Sequence, residues 1–114
     1  MQVTIYHNPR CTKSRQTLAR IHEKGVEPTV VEYLKEPPDA ATLRRLVKQL
    51  GIKPEELVRP KEHQALGLPQ PESDEAWIER MAAHPQIIER PIVVVGQKAV
   101  LGRPPENVDE LLSG

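Results

Sequence analysis

Cysteine and aromatic residues are scarce in this sequence of 114 residues, and its positive and negative charges balance. A single cysteine excludes both a disulfide within the chain and a cysteine-rich metal site. Aromatic residues make up only 3% of the chain, with no Phe, so any core must be built from aliphatic side chains. A formal net charge of zero argues against general binding of nucleic acids.

Long hydrophobic runs and targeting signals are also missing. No segment is apolar enough to cross a membrane and no signal peptide occurs, so we expect a protein of the reducing cytoplasm without membrane contact. A nucleotide-binding glycine loop is absent. The four histidines lack the spacing of metal ligands, and we therefore expect no metal and no bound cofactor. We expect the chain to act as a monomer.

The order of predicted elements indicates an α/β fold in a single domain, residues 1–114. Strands at 2–6 and 30–34 flank a helix at about 12–24, which is the pattern of a right-handed parallel βαβ unit. Prolines then punctuate a helical insertion at about 38–88. Its predicted elements are a helix with Asp39 as N-cap that stops at Gly51, a short helix over 53–58, a segment over 60–72 that is mainly loop, and a helix with Ser73 as N-cap that ends at His84.

The C-terminal part of the sequence predicts a hairpin followed by a helix. Strands at 92–95 and 98–101 are separated by Gly96-Gln97, with glycine first in a two-residue turn. A short helix over 104–112 would follow. The order βαβ, insertion, ββα predicts a thioredoxin-like mixed sheet, in which a cis proline usually precedes the third strand. Pro91 occupies that position and is our candidate.

The lone cysteine stands in a basic, polar turn between a predicted strand and a predicted helix. Residues 1–25 carry five Lys or Arg and one Glu, a local charge of +4. Arg10 and Lys13 flank Cys11, and Arg15 at i+4 shares its helix face. A helix N-terminus beside cations lowers a thiol pKa and also receives oxyanions. A small buried hydrophobic cysteine is the alternative, but so basic a turn favours a reactive thiolate.

Three arginines each precede a proline at a boundary between elements: Arg59, Arg90 and Arg103. In a thioredoxin-like topology Arg90 would lie next to the cis proline and Arg103 would follow the last strand, so both would be close to Cys11. Arg59 ends the first part of the insertion, which could fold over the same site. Guanidinium groups form paired hydrogen bonds with tetrahedral oxyanions, so arginines around a thiolate suit an anionic substrate.

The motifs together resemble the glutaredoxin-coupled arsenate reductases over essentially the whole chain. The matching segments are His7-Asn8-Pro9-Arg10-Cys11-x-x-Ser14-Arg15, Arg59, Arg90-Pro91-Ile92-Val93-Val94 and Gly102-Arg103-Pro104.

The resemblance implies a role for each of these residues. Cys11 would attack arsenate, with Arg59, Arg90 and Arg103 holding the oxyanion. His7 would favour the thiolate and Arg15 would support the loop. Glutathione, as co-substrate, would attack the arseno-cysteine adduct. Glutaredoxin would then reduce the mixed disulfide as arsenite leaves.

Other functions remain to be weighed against this resemblance. The phosphatase-type arsenate reductases use Cys-x5-Arg, but Thr17 occupies the arginine position here. Thioredoxin-type Cys-x-x-Cys is absent, because Ser14 takes the place of the second cysteine. A Spx-like regulator that binds RNA polymerase shares the fold, although such proteins often use that missing pair. A glutathione-linked oxidoreductase acting on another substrate is the third possibility.

Overall fold

The computed structural model describes residues 2–113, which form two compact units. One unit contains the residues up to Glu36 and those from Arg90 onward, and the other is Pro37–Glu89. The predicted single domain over 1–114, with its insertion at about 38–88, stays a prediction. No helix among residues 2–113 is long and apolar enough to span a membrane.

A four-stranded mixed sheet is the centre of the first unit, as the thioredoxin-like prediction required. The strands are β1 (Val3–His7), β2 (Thr29–Glu32), β3 (Ile92–Val95) and β4 (Lys98–Leu101), in the order β2-β1-β3-β4. Strand β1 pairs with β2 in parallel and with β3 antiparallel, and β3 pairs with β4 antiparallel. The predicted hairpin turn is confirmed, because Gly96 has φ of 60°, a conformation that glycine adopts without steric cost.

Two helices contact each other beside this sheet: α1 (Thr12–Glu23) and α5 (Val108–Ser113). Alternate residues of β1 are buried, as expected for a strand with one face in a core. The core cluster consists of Val3, Ile5, Ile21, Val93 and Val108. This cluster is wholly aliphatic, but the prediction of an aliphatic core holds only in part, because Tyr33 and Trp77 are also buried. A 3-10 turn at Pro105–Asn107 leads into α5 and replaces the first turn of the predicted helix.

The second unit is built from α2 (Ala40–Leu50), α3 (Pro60–Gln64) and α4 (Asp74–Ala83), with 3-10 turns at Pro54–Leu57 and Pro85–Ile87. Both predicted N-caps are present, because Asp39 accepts from the N–H of Thr42 at 2.8 Å and Ser73 accepts from the N–H of Ala76 at 3.1 Å. Helix α2 packs against α4.

Two sequence predictions of element bounds were wrong. Residues 60–64 form helix α3 instead of loop, because Pro60 stands at the first helical position, where its fixed φ and missing N–H suit a helix. The second strand ends at Glu32 instead of residue 34. The carbonyl of Glu32 accepts from the N–H groups of Lys35 and Glu36, each at 2.9 Å, which turns the chain.

Candidate active site

Cys11 lies at the N-terminal end of α1, as the strand-turn-helix pattern predicted. Strand β1 ends at His7, and the carbonyl of Asn8 then accepts from the N–H of Cys11 at 3.0 Å. The Asn8 side chain accepts from the N–H of Arg10, also at 3.0 Å, which tightens the turn. Cys11 is the N-cap residue, with extended backbone, and its carbonyl accepts from the N–H of Arg15. The thiol is therefore next to the free N–H groups of the helix.

The pKa of the Cys11 thiol is lowered below its ordinary value. Partial burial acts in the opposite direction, since it disfavours the charged thiolate. Hydrogen bonds from the backbone N–H groups of Ser14 and Lys13 outweigh that effect, helped by the positive charges of Arg90 and Arg103. Cys11 is half-buried, so a substrate can reach it. These surroundings favour the thiolate, which is the nucleophilic form of cysteine.

Arg90 and Arg103 come together because they flank the β3–β4 hairpin. Antiparallel pairing opposes Ile92 to Leu101, so the chain enters and leaves the hairpin at the same end. The Nη1 group of Arg103 donates to the Cys11 sulfur at 3.7 Å and to the carbonyl of Arg90 at 3.4 Å. Both arginines precede cis prolines, Pro91 and Pro104. The second of these cis bonds was not expected from the sequence.

His7 contacts the first turn of α1 through Ser14. Its Nδ1 atom lies 2.7 Å from the Ser14 hydroxyl, which also accepts from the N–H of Asn8 at 3.1 Å. Burial lowers the pKa of His7, opposed by the negative charge of Glu32 and assisted by the positive charge of Arg15. Ser14 is completely buried, although the sequence identified it only as the residue that replaces a second cysteine. The role of His7 in favouring the thiolate stays a prediction.

Arg15 holds the backbone of the turn between β1 and α1. Its Nη1 group donates to the carbonyl of Pro9 at 3.0 Å, and its Nη2 group donates to the Thr12 hydroxyl at 3.2 Å. The guanidinium thus connects the turn before Cys11 with the first residue of α1. This geometry fits a residue that supports the loop.

Arg59 belongs to the second unit and has carboxylate partners there. Its Nε group lies 3.1 Å from Glu62 and 3.8 Å from Glu89. Its backbone N–H donates to the carbonyl of Ile87 at 2.7 Å, beside the antiparallel bridge between residues 58 and 88. Arg59 is therefore fixed at the start of α3. Its predicted contact with an oxyanion stays a prediction.

The chemistry available at Cys11 is nucleophilic attack on an electrophile that carries negatively charged oxygens. Two guanidinium groups stand beside the sulfur, and they match such oxygens in charge and geometry. Among residues 2–113, no group of three or more His, Cys, Asp or Glu side chains could hold a metal ion.

Comparison with known proteins finds relatives over nearly the whole chain. The model of the ArsC family matches residues 6–111. The uncharacterized protein YfgD of Escherichia coli (strain K12) is 54% identical, with 97% of each chain covered. An arsenate reductase of Rhizobium meliloti (strain 1021) is 46% identical over 98% of this chain and 82% of its own. The structure of an arsenate reductase from Vibrio cholerae has a TM-score of 0.87 at 45% identity, covering 96% of this chain and 97% of that one.

Proposed function

The chain belongs to the ArsC family, and we propose that it reduces arsenate to arsenite with the Cys11 thiolate as nucleophile. Relatives named arsenate reductase, which match 97–98% of this chain, support this substrate. The observation that carries the proposal is the Arg103 guanidinium 3.7 Å from the Cys11 sulfur, at a thiol whose pKa is lowered. An oxyanion bound there would meet both its counter-charge and its nucleophile.

In the first step the Cys11 sulfur attacks the arsenic atom of arsenate. A sulfur–arsenic bond forms and one arsenic–oxygen bond breaks, and that oxygen leaves as water after taking up protons. Arg90 and Arg103 hold the remaining oxygens and stabilise the charge that develops on them. In this proposal Arg59 contributes a third guanidinium, His7 favours the thiolate and Arg15 keeps the loop in place.

In the second step an external thiol resolves the adduct. Cys11 is the only cysteine and Ser14 takes the place of a partner thiol, so the chain cannot form a disulfide within itself. Glutathione attacks the adduct, a sulfur–sulfur bond forms with Cys11, and the sulfur–arsenic bond breaks. The electron pair of that bond stays with arsenic, which leaves as arsenite. Glutaredoxin then reduces the mixed disulfide and restores the Cys11 thiol.

A coupled assay tests this proposal. Arsenate, glutathione, glutaredoxin, glutathione reductase and NADPH are supplied, and NADPH oxidation is followed. We expect turnover by the parent protein and none by Cys11→Ser, which keeps the shape but supplies a far weaker nucleophile. Thioredoxin with its own reductase should replace glutathione and glutaredoxin poorly. Steady turnover with thioredoxin alone, or turnover by Cys11→Ser, would contradict the mechanism.

A further inference from the structure

A buried hydroxyl connects the helix of Cys11 with the peptide that carries Arg103. Thr17 of α1 is fully buried, and its Oγ1 atom lies 2.8 Å from the carbonyl oxygen of Lys13 and 2.9 Å from that of Gly102. The carbonyl of Lys13 is also the helical acceptor for the N–H of Thr17. The hydroxyl proton is therefore available to the buried carbonyl of Gly102. Without this hydrogen bond the buried carbonyl would be unpaired, which would lower the stability of the fold.

Gly102 is held closely on both sides. Its N–H donates to the carbonyl of Pro91 at 2.9 Å, which fixes it against the start of β3. A methyl group added at Gly102 would lie 2.7 Å from two side-chain atoms of Thr17 and 2.9 Å from the Pro91 ring. Only a residue without a side chain permits this approach, so the position of the 102–103 peptide is set by contact with Thr17 and Pro91.

We propose that Thr17 is a positioning residue that sets the distance between the Arg103 guanidinium and the Cys11 thiolate. Cys11 is the N-cap residue of α1 and Thr17 lies six residues further along the chain in that helix. Arg103 directly follows the residue whose carbonyl Thr17 holds. Thr17 occupies the place of the arginine in a Cys-x5-Arg sequence. Here a hydroxyl at that place holds the peptide of an arginine that follows β4.

A purely structural role for Thr17 predicts a different result from a positioning role. Loss of a buried hydrogen bond alone would lower the thermal midpoint of unfolding and leave the chemistry of Cys11 unchanged. Movement of Arg103 away from the sulfur would raise the pKa of Cys11, because a positive charge near the thiolate stabilises it. A shift of about 1 Å from the observed 3.7 Å corresponds to roughly 0.2–0.7 pH unit, for an effective dielectric constant between about 80 and about 20.

The test compares Thr17→Val, which keeps the shape and removes the hydroxyl, with Thr17→Ser, which retains it. The rate of Cys11 alkylation by iodoacetamide is measured against pH, and kcat/KM is measured with arsenate. For Thr17→Val we expect an alkylation midpoint raised by the amount above and a kcat/KM lowered roughly ten- to a hundredfold. Thr17→Ser should restore the parent midpoint. Thr29→Val, the same substitution on exposed β2, serves as the control and should change neither value.

The alkylation profile needs no arsenate, so it separates this inference from the proposed function on which its kinetic readout rests. If the parent failed to reduce arsenate, the proposed function would fail while the midpoint still tested the role of Thr17. A Thr17→Val midpoint equal to that of the parent overturns the inference. If Thr17→Val does not fold, Thr17→Ala, which only removes atoms and favours a helix, gives the same comparison.

Discussion

Replacing Arg103 by methionine removes the guanidinium whose Nη1 group donates to the Cys11 sulfur at 3.7 Å. Methionine retains a flexible chain of similar length, so the change is mainly one of charge and hydrogen bonding. Replacing Arg103 by lysine keeps the charge but loses the planar fork that binds two oxygens at once. The two variants therefore separate the effect of Arg103 on the thiolate from its effect on an oxyanion.

The expected effect on the thiol follows from that distance. Two unit charges about 4 Å apart interact by about 1 kcal/mol in water and about 4 kcal/mol at an effective dielectric constant of about 20. Cys11 and Arg103 are both partly exposed, so the lower part of this range applies. Because one pKa unit corresponds to about 1.4 kcal/mol, Arg103→Met should raise the pKa of Cys11 by about one unit.

Alkylation with iodoacetamide measures this pKa, because only the thiolate reacts and the reagent carries no charge. We expect the parent midpoint below the free-cysteine value of about 8.5, a clear rise in Arg103→Met and a smaller change in Arg103→Lys. With arsenate, Arg103→Lys and Arg90→Lys should each lose about ten- to a hundredfold in kcat/KM, the value of one hydrogen bond to a charged group. A parent midpoint at or above about 8.5, or an unchanged midpoint in Arg103→Met, would refute this reasoning.

Three further predictions concern the rest of the chain. Arg59→Lys should stay folded and lose about ten- to a hundredfold in kcat/KM for arsenate, and a parent-like value would remove Arg59 from the site. The ion pair with Arg20 lowers the pKa of Asp109 to about 2, so Asp109→Asn should be less stable than the parent at neutral pH. Urea unfolding should show this difference shrinking as the pH falls from about 4 toward 2, and a constant difference would contradict the assignment. Leu46→Ala, at a fully buried position in α2, should cost about 2–5 kcal/mol in urea unfolding, against less than about 0.5 kcal/mol for exposed Lys48→Ala.

The fold could be predicted because its signals are local. The apolar run before Cys11, the glycine turn at Gly96 and the cap at Asp39 each determine a short segment, and the order of segments leaves few topologies. Helix α3 is not predicted, because the three prolines within residues 60–72, the first of them Pro60, indicate a loop. The same residue begins a helix when it stands at the first position, and sequence alone does not distinguish the two cases.

The site could be predicted only in part, because its contacts join distant positions. The basic turn identified Cys11, and the arginine–proline pairs identified Arg103, but their approach depends on the hairpin register. The contact between Thr17 and Gly102 joins residues 85 positions apart and leaves no pattern in the sequence. Glycine at 102 was visible as part of a motif, yet its reason is steric and appears only when Thr17 and Pro91 are in place.

The most direct test of arsenate reduction at Cys11 is a single turnover without glutaredoxin. The protein is mixed with arsenate and glutathione, its intact mass is measured, and the amount of arsenite formed is quantified. We predict one glutathione attached per chain, located on Cys11 by peptide mapping, with one arsenite released, and no attachment when arsenate is omitted. Arsenite formed while Cys11 stays unmodified, or glutathione attached without any arsenite, would contradict the account.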